Sequence, residues 1–233
     1  MPGSLWSKLY MVRERALSGR FISNLEAVLI ANKLSHAEMG SLLRTARKLE
    51  DLWREHSAVG KREAGYGPIY AEILQDLPPV RNVLEIGVLG GGSHRAWAAR
   101  WPDASIYGLD IDPDTIISDG RVATFVADQL RVEELISTAE KMPSSFELIV
   151  DDGWHQPEAG LKSLSVFLPR LVPGGYYVVE DIDWRRYHRV WKKALIGLSL
   201  FYSVSVRIVD TCASRKAVGG PYGLLLIRRT KAE

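Results

Sequence analysis

From Val80 onward the chain alternates short apolar runs with amphipathic stretches, the pattern of strands buried in a sheet and helices laid on its faces. Runs at 81–88 (RNVLEIGV), 105–111 (SIYGLDI), 122–127 (VATFVA), 146–151 (FELIVD) and 176–181 (YYVVED) predict strands. Between them, 93–101, 131–141 and 157–171 have helical spacing, the last through Leu161, Leu164, Phe167, Leu168 and Leu171. A helix near 186–200 leads into strands at 204–210 and 222–229, whose connection suits a hairpin. The expected fold is α/β: a mostly parallel, Rossmann-like sheet with helices on both faces and an antiparallel hairpin at its C-terminal edge.

The N-terminal part reads differently. Phe21 to Ala31 is a short apolar segment of helical character, and Ser35 with Glu38 forms a capping box that opens a second helix. Met39, Leu42, Leu43, Ala46, Leu49 and Trp53 recur at steps of three and four, so this helix must bury one stripe. Packing within the chain is the simpler way to cover it, and a homo-oligomer through the N-terminal helices is the other. Residues 57–67 (SAVGKREAGYG) are polar and glycine-rich and read as a loop or lid, after which Pro68 opens a helix to about Asp76. The division is then an N-terminal helical extension and lid, 1–67, on a main domain, 68–233.

Composition narrows the function. With 233 residues and 46% apolar content the chain can bury a sizeable core. Its single cysteine, Cys212, excludes an internal disulfide and any CxxC motif. The N-terminus is broken early by Lys8, Arg13 and Arg15, and no eighteen uncharged apolar residues run together, so a cytoplasmic protein with no transmembrane segment is expected. The net charge of +2 conceals a segregation: +5 over residues 1–62, −12 over 63–183 and +9 over 184–233. An acidic centre argues against a nucleic-acid partner.

That acidic centre carries the candidate chemistry. VLEIGVLGGGS, residues 83–93, is a strand ending in glycines that feeds a helix, so a ligand can approach its backbone and the helix N-terminus. Asp110 ends the next strand, placed to bond the hydroxyls of a ribose. The glycines miss the GxGxxG spacing, which disfavours NAD. S-adenosylmethionine lacks a pyrophosphate and suits the turn. The candidate set for it is Glu85, Gly87, Gly91, Ser93, Asp110, Asp128, Gln129 and Asp151.

FELIVDDGWHQ, 146–156, ends a buried strand in Asp151 and Asp152, and YYVVEDIDW ends the neighbouring one in Glu180 and Asp181. Hard oxygen ligands on adjacent strand ends suit Mg²⁺, and Asp152, Glu180 and Asp181 are its candidate ligands. His155 beside them is the candidate general base. Trp154, Trp184 and Tyr187 are candidates to stack on a substrate ring, with Tyr66 closing over it.

The segments EIGVLGGGSHRAW, YGLDID, ADQ, DDGWH and PGGYYVVEDIDW resemble, in this order, the metal-dependent sugar O-methyltransferases of macrolide-antibiotic pathways. They are also similar to related actinobacterial enzymes that methylate rhamnose or mannose units, including those of polysaccharides. The resemblance spans about Val80 to Trp184. It implies a class I methyltransferase fold, S-adenosylmethionine and Mg²⁺ as cofactors, and a sugar-containing small molecule or oligosaccharide as acceptor. It also implies that Glu85, Gly87, Ser93, Asp110 and Asp128 bind the methyl donor, that Asp152, Glu180 and Asp181 bind the metal, and that His155 is the base. One departure is Leu89, where many methyltransferases have glycine. The alternatives are a catechol-type O-methyltransferase, whose vicinal hydroxyls would chelate magnesium alike, and a non-catalytic cofactor-binding scaffold.

Overall fold

The computed structural model describes residue 32 and residues 34–210 and 223–230; the predicted helix at 21–31 and the segment 212–222 lie outside them. From residue 34 onward the described residues open with the helices α1 (His36–Glu55), α2 (Val59–Glu63) and α3 (Gly67–Asp76). Then follow β1 (Asn82–Ile86), α4 (Gly92–Arg100), β2 (Ser105–Asp110), β3 (Ser118–Asp119), β4 (Val122–Val126) and α5 (Val132–Ala139). The chain continues with β5 (Phe146–Asp151), α6 (Pro157–Phe167), β6 (Leu171–Ile182), α7 (Trp184–Ser199), β7 (Val204–Asp210) and β8 (Gly223–Arg229).

The strands join in one sheet, ordered β3-β4-β2-β1-β5-β6-β8-β7. Pairs from β4 to β6 are parallel, while β8 runs antiparallel between β6 and β7, forming the expected edge addition. The sheet is one strand richer than the apolar runs predict, because the two-residue β3 has no apolar run of its own. Chain order reverses at β1, so the crevice beyond the carboxyl ends of β1 and β5 is the topological switch point, where open α/β sheets bind ligands.

Strand alternation divides the core into two layers. Val83, Leu148, Val150 and Val178 face α1, α3 and α4, and Leu84, Ile86, Ile149, Tyr177 and Val179 face α5, α6 and α7. The capping box forms, with Ser35 and Glu38 bonded reciprocally, and α1 buries Met39, Leu42, Ala46, Leu49 and Trp53 within the chain. Trp53 meets Tyr70 and Trp97 edge-on, at 5.7 and 6.1 Å between ring centres.

Two boundaries differ from the sequence pattern. Helix α6 stops at Phe167 because Pro169 enforces a short 3₁₀ turn, and β6 begins at Leu171. The strand expected at 176–181 is therefore the later part of a longer one, and the Pro173-Gly174-Gly175 segment before it is an irregularity within that strand, between the pairs Phe146–Leu171 and Leu148–Tyr176. The second difference is α2, which occupies part of the expected loop at 57–67.

Candidate active site

A cleft of about 840 Å³ opens at the switch point, large enough for a nucleoside-sized ligand and part of an acceptor. Its walls include the glycine turn after β1, the ends of β2, β4 and β5, Asp181 of β6, and His56, Ser57, Ala58, Gly60 and Lys61. Gly87 has φ +90°, and a Cβ there would lie 2.3 Å from the carbonyl oxygen of Asp152. Glycine is what lets the turn after β1 and the acidic turn after β5 meet.

Among the described residues, Ser57, Leu89, His155 and Asp181 are the non-glycine residues with positive φ, between 47° and 62°. All four line this cleft. Strained backbone gathered in one cavity marks it as the functional centre. It also places Leu89, the departure from the methyltransferase pattern, in a conformation that glycine adopts freely, with its side chain 86% exposed.

Of the residues read as cofactor-binding, Gly87, Ser93, Asp110, Asp128 and Gln129 line the cleft. Asp110 accepts from the N–H groups of Val88 (2.7 Å) and Leu89 (3.1 Å) and so pins the glycine turn. Burial would raise its pKa, but bonds from the N–H groups of Asp112, Val88 and Leu89 outweigh this and hold it below the usual range. Gly91 sits beside the cleft as the left-handed N-cap of α4.

Glu85 and Asp151 lie elsewhere. Glu85 is fully buried on the α4 side of the sheet, accepting from Trp97 Nε1 at 2.6 Å. Asp151 points to the opposite layer, where Gln129 Nε2 donates to it at 2.7 Å and Tyr177 contacts it at 3.4 Å. Burial pushes its carboxyl up to about 6 against the Gln129 bond. Gln129 in turn accepts from the Trp154 N–H at 3.0 Å. Asp151 thus anchors the DGWH turn from behind.

Asp152, His155 and Asp181 offer ligand atoms within 4.8 Å of one another. His155 Nε2 lies 3.1 Å from Asp152 Oδ1, with the imidazole 40% exposed. Burial would lower its pKa, but the hydrogen bond and charge of Asp152, with Asp181 and Asp151 nearby, raise it above the ordinary histidine value. Glu180, grouped with Asp152 and Asp181 by sequence, is buried beneath them and receives the Tyr70 hydroxyl. Asp181 receives the hydroxyl of Tyr66, which is buried and supports that carboxylate from within.

Of the predicted stacking residues, Trp154 lines the cleft and is 59% exposed. Trp184 packs edge-on against His188, and Tyr187 donates to Gln156 Oε1 at 2.8 Å. Both stand on the first turn of α7 outside the cleft lining.

Sequence reading missed Lys61. It lies on α2 and is 3% exposed, with its ammonium 2.8 Å from Glu180 Oε2, 2.9 Å from Glu85 Oε1 and 3.2 Å from Asp152 Oδ2. Burial alone would discharge it; Asp152, Glu180 and Glu85 hold it charged, with its pKa well above the usual lysine range. A lysine in a polar, glycine-rich segment gives no signal of this kind, because its partners lie on strands far along the chain.

The sheet order and a glycine turn at the switch point define a class I methyltransferase fold. Residues 84–182 match the family model described as "Methyltransferase domain". The mycinamicin VI 2''-O-methyltransferase of Micromonospora griseorubida is 38% identical over 113 residues, covering 46% of this chain and 28% of that protein. The 8-demethyl-8-alpha-L-rhamnosyl tetracenomycin-C 2'-O-methyltransferase of Streptomyces olivaceus is 32% identical over 140 residues, 57% of this chain and 35% of that protein. The chain thus spans about a third of the length of these relatives. The solved MycE methyltransferase of the mycinamycin pathway, in complex with Mg, SAH and mycinamycin VI, shares the fold with a TM-score of 0.62 at 24% identity. That alignment covers 79% of this chain and 55% of MycE. No described helix is long and apolar enough to cross a membrane.

Proposed function

We propose that the chain is a metal-dependent O-methyltransferase that moves a methyl group from S-adenosylmethionine to a hydroxyl of a sugar-containing acceptor. The observation that carries this reading is the cluster of Asp152, His155 and Asp181 at one mouth of the cleft, facing the glycine turn. Sugar O-methyltransferases among the relatives support the acceptor class.

Gly87, Ser93, Asp110 and Asp128 would hold the methyl donor, and Asp152 and Asp181 a Mg²⁺-sized cation. When bound, the cation lowers the pKa of a chelated hydroxyl, and the donor supplies an electrophilic methyl. With Nε2–H directed at Asp152, His155 has Nδ1 free to take the hydroxyl proton, and the Asp152 carboxylate steadies the imidazolium. Trp154 offers an apolar face to the acceptor. Residues 57–67 are the lid, α1 belongs to the N-terminal extension, and a cytoplasmic location suits a pathway that consumes S-adenosylmethionine.

The test is SAH formation from S-adenosylmethionine with methyl-free rhamnosides and, separately, catechols as acceptors. Sugar turnover that EDTA abolishes and Mg²⁺ restores is expected. Asp181→Asn should lower it about a hundredfold or more, and His155→Ala should lower kcat more than it raises KM. Metal-independent turnover would sink the metal role, preference for catechols would change the acceptor, and donor binding without turnover on any acceptor would favour a scaffold.

A further inference from the structure

Beneath the rim of the cleft one ammonium is held by carboxylates from the ends of three adjacent strands. Lys61 donates to Glu180 Oε2 of β6 at 2.8 Å and to Asp152 Oδ2 after β5 at 3.2 Å. It also lies 2.9 Å from Glu85 Oε1 of β1, an oxygen with no aligned hydrogen-bond donor. The remaining oxygens of the two buried glutamates are taken, Glu180 Oε1 by the Tyr70 hydroxyl and Glu85 Oε2 by Trp97 Nε1. Neither glutamate lines the cleft, whereas Asp152 and Asp181 do.

Burying two glutamates this deeply without a counter-charge is strongly unfavourable, so the ammonium is a structural requirement of the site. It also divides the acids in two. The inner pair, Glu85 and Glu180, is buried against a cation that the fold supplies and that also reaches one oxygen of Asp152, while Asp152 and Asp181 line the cavity. The inner cation arrives on α2, whose preceding residues press on the start of α4: a Cβ on Gly92 would lie 2.6 Å from the carbonyl oxygen of His56.

We propose that Lys61 is the resident cation of this site, a positioning residue that takes up Glu85 and Glu180 and braces Asp152 through one oxygen, so that the cavity-lining Asp152 and Asp181 are the carboxylates for a divalent ion. The inference rests on the metal-dependent reading above and departs from the ligand set that the resemblance implies by giving Glu180 to the lysine.

Two measurements test it. In the first, Mg²⁺ is titrated calorimetrically into the full chain with SAH present. Asp181→Asn should weaken binding by about tenfold or more and Glu180→Gln by less than about threefold. Equal losses would overturn the proposal. The second measurement uses thermal melts in EDTA and needs no metal. Lys61→Met should lower Tm by about 5 °C or more, and adding Glu180→Gln to it should recover at least half of that loss. A double variant no more stable than Lys61→Met overturns the charge role. If Lys61→Met does not fold, folding of the double variant is the rescue; if neither folds, the Glu180→Gln titration decides. An unmodified protein that binds no Mg²⁺ removes the metal reading, and the melts then decide the role of Lys61 by themselves.

Discussion

Neighbouring acids in this chain have unlike roles: strand alternation sends Asp151 and Asp152 to opposite sides, whereas Asp181 sits at a left-handed φ of 52° where β6 breaks its register. Asp151 turns into the α6 layer and supports Gln129, while Asp152 faces the cleft. Glu180 turns toward Lys61 and Asp181 toward the cavity. A third kind of buried acid stands apart from the chemistry. Glu50 of α1 is 3.8 Å from Arg62 Nε, yet burial outweighs that attraction and pushes its pKa from 4.5 up to about 7. Because the folded value lies above the unfolded one, the fold favours the protonated acid. Its stabilisation is present below about pH 4.5 and is lost as pH rises through about 7. Glu50→Gln should therefore stabilise the protein at pH 8 by about 1–3 kcal/mol and leave it nearly unchanged at pH 4.5, read from urea unfolding at both pH values. A gain at low pH and none at high pH would refute the assignment.

At the scale of elements, the β1–α4 turn is built for close approach. Gly87 admits the Asp152 carbonyl, Asp110 fixes the N–H groups of Val88 and Leu89, and Leu89 takes φ 47° while 86% exposed. Leu89→Gly should raise stability by about 0.5–1 kcal/mol, since the left-handed strain it relieves exceeds the added unfolded-state entropy. SAH affinity should be unchanged. A loss of stability would mean that Leu89 makes contacts worth more than its strain. The β6 strand makes a complementary point: its irregularity at Pro173-Gly174-Gly175 looks like a turn in sequence, and pairing with β5 before it at Leu171 and after it at Tyr176 draws it into the sheet.

Across the whole molecule, α1 to α3 are part of the machinery that shapes the site. Met39, Leu42, Ala46, Leu49 and Trp53 share one core with Tyr70, Trp97 and the strands that carry Glu85 and Glu180. Removing residues 1–57 should abolish the cooperative unfolding transition, and Trp53→Ala alone should cost about 3–5 kcal/mol. A sharp transition in the shortened chain would show that the sheet stands without α1.

The βαβ alternation, the capped amphipathic α1, the glycine turn and the acids at the ends of β5 and β6 were all legible in the sequence, because each depends on local spacing or on a strand's period of two. Only the tertiary structure decided which acids meet the cavity. Glu85, Lys61, Asp152 and Glu180 come together from positions more than a hundred residues apart in part, through pairing of β1, β5 and β6 beneath α2. Tyr66 and Tyr70 likewise donate their hydroxyls to Asp181 and Glu180 from elements far along the chain. Sequence spacing carries no record of a counter-charge brought in by a different element, and burial sets how much that counter-charge matters.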